Sequence, residues 1–308
     1  MLGAYRRALD GIVSAALAAL IRLLRGGYDP ETPALKMSEE LALQVVEPLR
    51  MARQSAYNEA VKFIRETAAA QGISNPYIPD QSGYSSASPE SVLRDVMRNE
   101  TRDPQRFPQV AAEHLVQHVE DAARQTVVRT VEDFRRPVPE DEAHWSYDAR
   151  SPEEEAEYAR DTDLALNWAR VLTGQENCGF CVMLASRGPV YETAETAGRI
   201  RASAEFRAVN GRRWMNSYHP NCDCVVVPVY DYGNWAGRDQ WQALEKWYDK
   251  VIHKGTWTDK DGNVHTGFKY NDASHDAKNN VIAELDRVLR QMERDGEQLP
   301  VVDVRTSW

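Results

Sequence analysis

Cys178-Gly179-Phe180-Cys181 and, about forty residues later, His219-Pro220-Asn221-Cys222-Asp223-Cys224 decide how this chain is read. They hold all four cysteines of the sequence, together with a histidine. Two thiolates three positions apart on a tight turn can reach one tetrahedral ion at sulfur distances of about 2.3 Å. A second short cluster completes four ligands and ties two distant segments together. Five groups compete for four positions: Cys178, Cys181, His219, Cys222 and Cys224. The expected set is the four cysteines on a structural zinc, with His219 as a substitute ligand or an outer partner. A pair of disulfides formed in an oxidising medium is the rival reading, and unligated thiols are the third. A thioredoxin-like use of the CxxC needs a strand before it and a βαβ unit around it. The segment before Cys178 reads as helical, which argues against that use.

Outward from the cysteines, the chain separates into a helical front and a mixed rear. Behind the site, Cys224 to Tyr230 is short and β-branched, and Pro228 makes it an edge strand. Asp239 to Ile252 reads as a helix with Trp241, Trp247 and Tyr248 on one face, Asp261-Gly262 as the turn of a hairpin from Thr256 to Phe268, and Val281 to Met292 as a last helix ending near Gly296. Trp235, Trp241, Trp247 and Trp257 are expected to build the core of this small region. In front, an acidic segment predicts a helix from about Glu153 to Leu172, its carboxylates at the positive end of the dipole. Arg136 to Pro152, rich in proline and acids, is the expected boundary. Two long helices precede it. One follows Ser38 as N-cap and contains Pro48; the other runs from Pro108 to about Phe134. The expected fold class is α+β: a mainly helical docking region over 1–150, a Cys/His-stabilised domain over 151–235 and a helix–hairpin–helix extension over 236–308.

The apolar run Gly11 to Leu24 is shorter than the roughly 18–20 residues a bilayer span needs and ends in Arg-Gly-Gly, so a packed amphipathic helix is expected and no membrane span. The net charge of −10 argues against a general nucleic-acid coat. A local exception lies between the cysteine pairs over residues 199–213, where Arg199, Arg201, Arg207, Arg212 and Arg213 stand against one acid, Glu205. They form a candidate patch for DNA phosphates or an acidic partner, against the alternative of pairing with the acidic helix of the same chain.

Leu172-Thr173-Gly174, the CxxC, and Leu184-Ala185-Ser186-Arg187-Gly188-Pro189-Val190-Tyr191 together resemble the MuF-like minor head proteins of tailed bacteriophages, in the version found in phages of actinobacteria. Tyr218 to Cys224 followed by Val227-Pro228-Val229 is similar to that family's closing His/Cys motif and its short strand. The resemblance covers about Asp163 to Tyr232. One departure is Asp223, where many relatives carry a basic residue. The resemblance implies a virion protein, made in the host cytoplasm and present in few copies inside the capsid near the portal. It implies the portal and major capsid proteins as partners, and contact with genomic DNA as a further one. Such proteins are often labelled capsid maturation proteases, largely from gene order.

The residues themselves argue against an enzyme. Ser186, His219 and Asp223 are the candidate triad, but no GxSxG elbow surrounds Ser186. A cysteine nucleophile would be consumed by the metal. His114 and His118 stand four apart without the glutamate of HExxH, and read as a solvated helix face. Neither a P-loop nor GxGxxG occurs. The reading from sequence is therefore a head-assembly protein, with a maturation protease and a portal-proximal DNA-binding module as alternatives.

Overall fold

Three helices carry most of the apolar surface. The structure is a computed structural model that describes residues 1–27, 39–83, 89, 93, 106–133, 157, 159, 161–173, 177–191, 200–201, 214–215, 224–252, 256–258, 264–266 and 274–299. Helix α1 (Leu2–Gly27) starts earlier than the apolar run suggested and takes in Arg6 and Arg7. It buries Leu2, Tyr5, Leu9, Ala16, Leu20 and Leu24 on one face and leaves Arg7, Arg22 and Arg25 to solvent. Among the described residues no helix is long and apolar enough to cross a membrane. Helix α2 (Glu39–Ala70) contains Pro48 and buries Val45, Leu49, Ala56, Ala60, Phe63 and Ile64; Ser38 lies outside the described residues. Tyr5 stacks on Phe63 with ring centroids 4.2 Å apart, fastening α1 to α2.

Helix α3 (Phe107–Glu132), with Pro108 in its first turn, packs against both of these helices and against the sheet described below. It is buried over most of its surface, with His114 half-buried and His118 in the interior. His118 is 2% exposed, which corrects the expectation from its spacing with His114. Two stripes of alanine and valine on one helix mark such central burial, and the histidine merely sits in one of them.

Strand β1 (Asn167–Leu172) corrects a second expectation, since the sequence read as helix through Leu172. Glu157, Ala159, Asp161 and Thr162 are helical, and Asp163 then enters the left-handed region at φ 57°, a conformation Asp tolerates better than most residues. All six residues of β1 are buried, so the alternation that announces a half-exposed strand is missing from Asn-Trp-Ala-Arg-Val-Leu. Helix α4 (Gly179–Ala185) follows, and then the two-residue strands β2 (Ile200–Arg201) and β3 (Trp214–Met215) pair with each other. Strand β4 (Cys224–Val229) runs antiparallel to β1, in a register from Asn167 opposite Val229 to Leu172 opposite Cys224.

The two strands form a buried ribbon whose flanks are occupied. Trp168 exchanges backbone hydrogen bonds with Tyr191 on the outer side of β1. Gln71, at the end of α2, donates from Nε2 to the carbonyl of Pro228 and accepts at Oε1 from the amides of Tyr230 and Asp231. Gln240 of helix α5 (Arg238–Ile252) closes both backbone groups of Leu172 at 2.9 Å each. A hairpin follows, with β5 (Thr256–Thr258) paired to β6 (Val264–Thr266), and then helix α6 (Ser274–Asp295), which ends at Gly296 with φ 71°. The fold is thus mainly helical α+β. One apolar core runs from Leu2 and Leu20 through Ala112 and Trp168 to Val226 and Leu285. The expected boundary at 136–152 lies outside the described residues.

Candidate functional site

The short helix α4 is organised by its own cysteines. Cys178 is its N-cap, in extended conformation, and its Sγ accepts the amide of Cys181 at 3.4 Å. An N–H donated to sulfur suits a thiolate ligand and closes the turn that brings the CxxC pair to one side. Cys181 projects from the helix toward the start of β4, where its Sγ lies 3.8 Å from Cys224 Sγ. Sulfurs about 2.3 Å from one ion at tetrahedral corners are themselves about 3.8 Å apart, so this pair fits one edge of a zinc tetrahedron. Cys178, Cys181 and Cys224 are unbridged. Leu172, Val182, Ala185 and Leu244 enclose them, with Trp247 and Leu289 at the margin.

Two neighbours of the sulfurs come from other elements. Arg170, one step along β1 on the same face as Leu172, reaches Cys224 Sγ with Nη1 at 3.7 Å and lies over the Phe180 ring with Cζ 5.6 Å from its centroid. Asp286 of α6 accepts the amide of Gly179 at 2.6 Å. At Gly179 any Cβ would meet Ile282 O at 2.7 Å and Leu285 Cβ at 2.8 Å. The glycine of the CxxC is therefore the point where α6 presses onto the knuckle.

The elements that make this site lie, α6 excepted, within residues 1–251, and that stretch matches the VG15 protein family. The chain belongs to the VG15 family. Two curated relatives are bacteriophage proteins. The Gene 15 protein of Mycobacterium phage D29 is 39% identical over 97 residues, 27% of this chain and 35% of the relative. The Gene 15 protein of Mycobacterium phage L5 is 34% identical over 127 residues, 32% of this chain and 43% of the relative. The chain thus spans less than half the length of either relative in these matches. No solved structure matches it. Helix α6 lies beyond the stretch that defines the family, yet it supplies Asp286 to the knuckle.

Of the residues expected to act in this VG15 chain, the structure brings the Cys181 and Cys224 sulfurs together, with Cys178 capping the helix beside them, and among the described residues no three His, Cys, Asp or Glu side chains are grouped to hold a metal ion. His219, Cys222 and Asp223 lie outside the described residues, as do Arg199, Arg207, Arg212 and Arg213. Arg201 sits in β2, paired with Trp214 of β3. Ser186, the C-cap of α4, is 5% exposed and donates its hydroxyl to the carbonyl of Met183 at 2.9 Å. The ground for setting aside a thioredoxin-like pair also changes. A strand does precede the CxxC, and the pair does open a helix, but β1 pairs antiparallel with β4 and no βαβ unit occurs among the described residues. Arg170 and Asp286 escaped the sequence reading. The only signal for Arg170 was an arginine inside an otherwise apolar six-residue run, and for Asp286 there was none.

Proposed function

We propose that this protein is a minor component of the phage head that acts in head assembly, inside the capsid and near the portal, with the portal and major capsid proteins as partners. The observation that supports this best is the meeting of the two motif halves through which the chain resembles MuF-like proteins, with Cys181 Sγ and Cys224 Sγ 3.8 Å apart. Zinc held by Cys178, Cys181 and Cys224, with Cys222 or His219 as the fourth ligand, would supply folding free energy through a closed site with no open position for a substrate. The chain's own residues serve that end. Cys178 closes the first turn of α4, Cys181 and Cys224 join α4 to β4, and the Leu172, Val182 and Leu244 side chains keep water away. The Ser186 hydroxyl is committed to the last turn of α4, which favours a structural role over a serine protease.

Co-expression with the portal and major capsid proteins of the same phage tests the assignment. The expected result is a few copies of the chain in purified heads and an unchanged mass for the capsid protein. Absence from heads would overturn the proposal. Defined cleavage of capsid or scaffold protein, abolished by Ser186→Ala or Cys178→Ser, would transfer it to a maturation protease. Salt-sensitive DNA binding weakened by Arg212→Glu, without head association, would transfer it to a DNA-binding module. Native mass spectrometry under reducing conditions is expected to show one zinc per chain, and finding none would remove the metal from the proposal.

A further inference from the structure

We infer that Cys181 and Cys224 are an oxidation site: with no ion on their sulfurs, a small peroxide converts the pair into one disulfide that staples α4 to β4. The two residues are 43 positions apart in sequence, yet their Sγ atoms lie 3.8 Å from each other. Neither is bridged. A disulfide needs the sulfurs at about 2.0 Å, so a closure of about 1.8 Å, within the reach of side-chain rotation, completes the bond. Their place in the fold gives the staple something to hold. Cys224 opens β4 opposite Leu172, the last residue of β1, and Cys181 stands in the short helix that follows that strand. Cys178 turns its sulfur to the amide of Cys181.

The reaction balances with the two thiols and the peroxide alone. One thiol takes an oxygen from hydrogen peroxide, becomes a sulfenic acid and releases water. The second thiol attacks that sulfur, the S–S bond forms, and a second water leaves with the sulfenic oxygen and the second thiol's proton. Two electrons pass from the sulfurs to the peroxide. Burial sets the pace, since Cys181 is 3% and Cys224 1% exposed, enclosed by Leu172, Val182, Ala185 and Leu244. An apolar enclosure keeps thiols protonated and slow to react, and it admits a neutral disulfide without electrostatic cost. It also keeps thiol reductants from the product. The loop so closed spans 182–223, which carries the arginine-rich insert, and closing it removes freedom from the unfolded chain. A reducing cytoplasm holds the pair open, and an oxidising medium closes it.

The test uses the full-length protein, reduced, stripped with EDTA and treated with hydrogen peroxide. The Cys178→Ser/Cys222→Ser variant leaves Cys181 and Cys224 as its cysteines. It is expected to lose about 2 Da while staying a monomer, to lose both alkylatable thiols, and to unfold at a higher temperature than its reduced form. Two thiols still alkylated after denaturation, or a crosslink between chains, would overturn the inference. If that variant does not fold, the wild type decides. Cleavage after Phe180 and before Asp223 separates the four cysteines. A peptide pair joining Cys181 to Cys224 supports the site, and any other product, or none, overturns it. The inference does not rest on the zinc reading: zinc counted on the untreated wild type reports on that reading separately, so either can fail without the other.

Discussion

Gln71 shows how much can rest on one amide. Its side chain satisfies the Pro228 carbonyl and the amides of Tyr230 and Asp231, backbone groups that the β1–β4 ladder leaves unpaired where the strand ends. Gln71→Leu keeps the volume and leaves those groups buried without partners. The expected loss is about 1–3 kcal/mol, read as a lower urea midpoint at constant slope. Pro228 itself was visible in the sequence as an edge-strand residue, but its partner lies in the turn after α2, more than 150 positions earlier. Arg170 was hidden in the same way: in sequence it looks like a charge that breaks an apolar strand, and only the tertiary structure brings it to the Cys224 sulfur and the Phe180 ring.

At the scale of elements, α4 is short for a helix and is held from both ends. Cys178 caps it, Ser186 finishes it, and α6 covers it through Leu285 and Asp286. Gly179→Ala would push a Cβ into the Ile282 carbonyl and Leu285, so α6 must move away. The expected destabilisation is about 1–3 kcal/mol, with faster amide exchange confined first to 274–295; unchanged exchange there would show that α6 does not depend on this contact. The periodicity of α1, α2, α3, α5 and α6 was plain because each keeps an apolar stripe. It failed at β1, since a ribbon buried on both faces has neither the helical nor the alternating pattern.

Over the whole molecule, a single apolar core links the N-terminal helices to the β1–β4 ribbon and to α6. Tyr5 in α1 and Tyr230 after β4 both have phenols that burial pushes well above their ordinary range. Because the folded state keeps these protons longer than the unfolded chain, their contribution is complete below the unfolded value of about 10 and is lost as pH rises beyond it. Thermal midpoints are therefore expected to hold at neutral pH and to fall above pH about 10. Tyr5→Phe should blunt that fall. A fall in the thermal midpoint above pH about 10 that is the same in Tyr5→Phe as in the wild type would contradict it.

The sequence by itself determined the helical front and the cysteine-bearing rear with its short strand, hairpin and last helix. Local periodicity, turn residues and ligand spacing depend on near neighbours along the chain, so they are legible there. Tertiary structure alone decided that His118 is buried, that 167–172 is a strand, that Gln71 and Gln240 close the ribbon, and that Arg170 and Asp286 touch the knuckle. Each of these is a meeting of residues tens to more than a hundred positions apart. Burial and electrostatic partnership are properties of that meeting, and no single segment carries them.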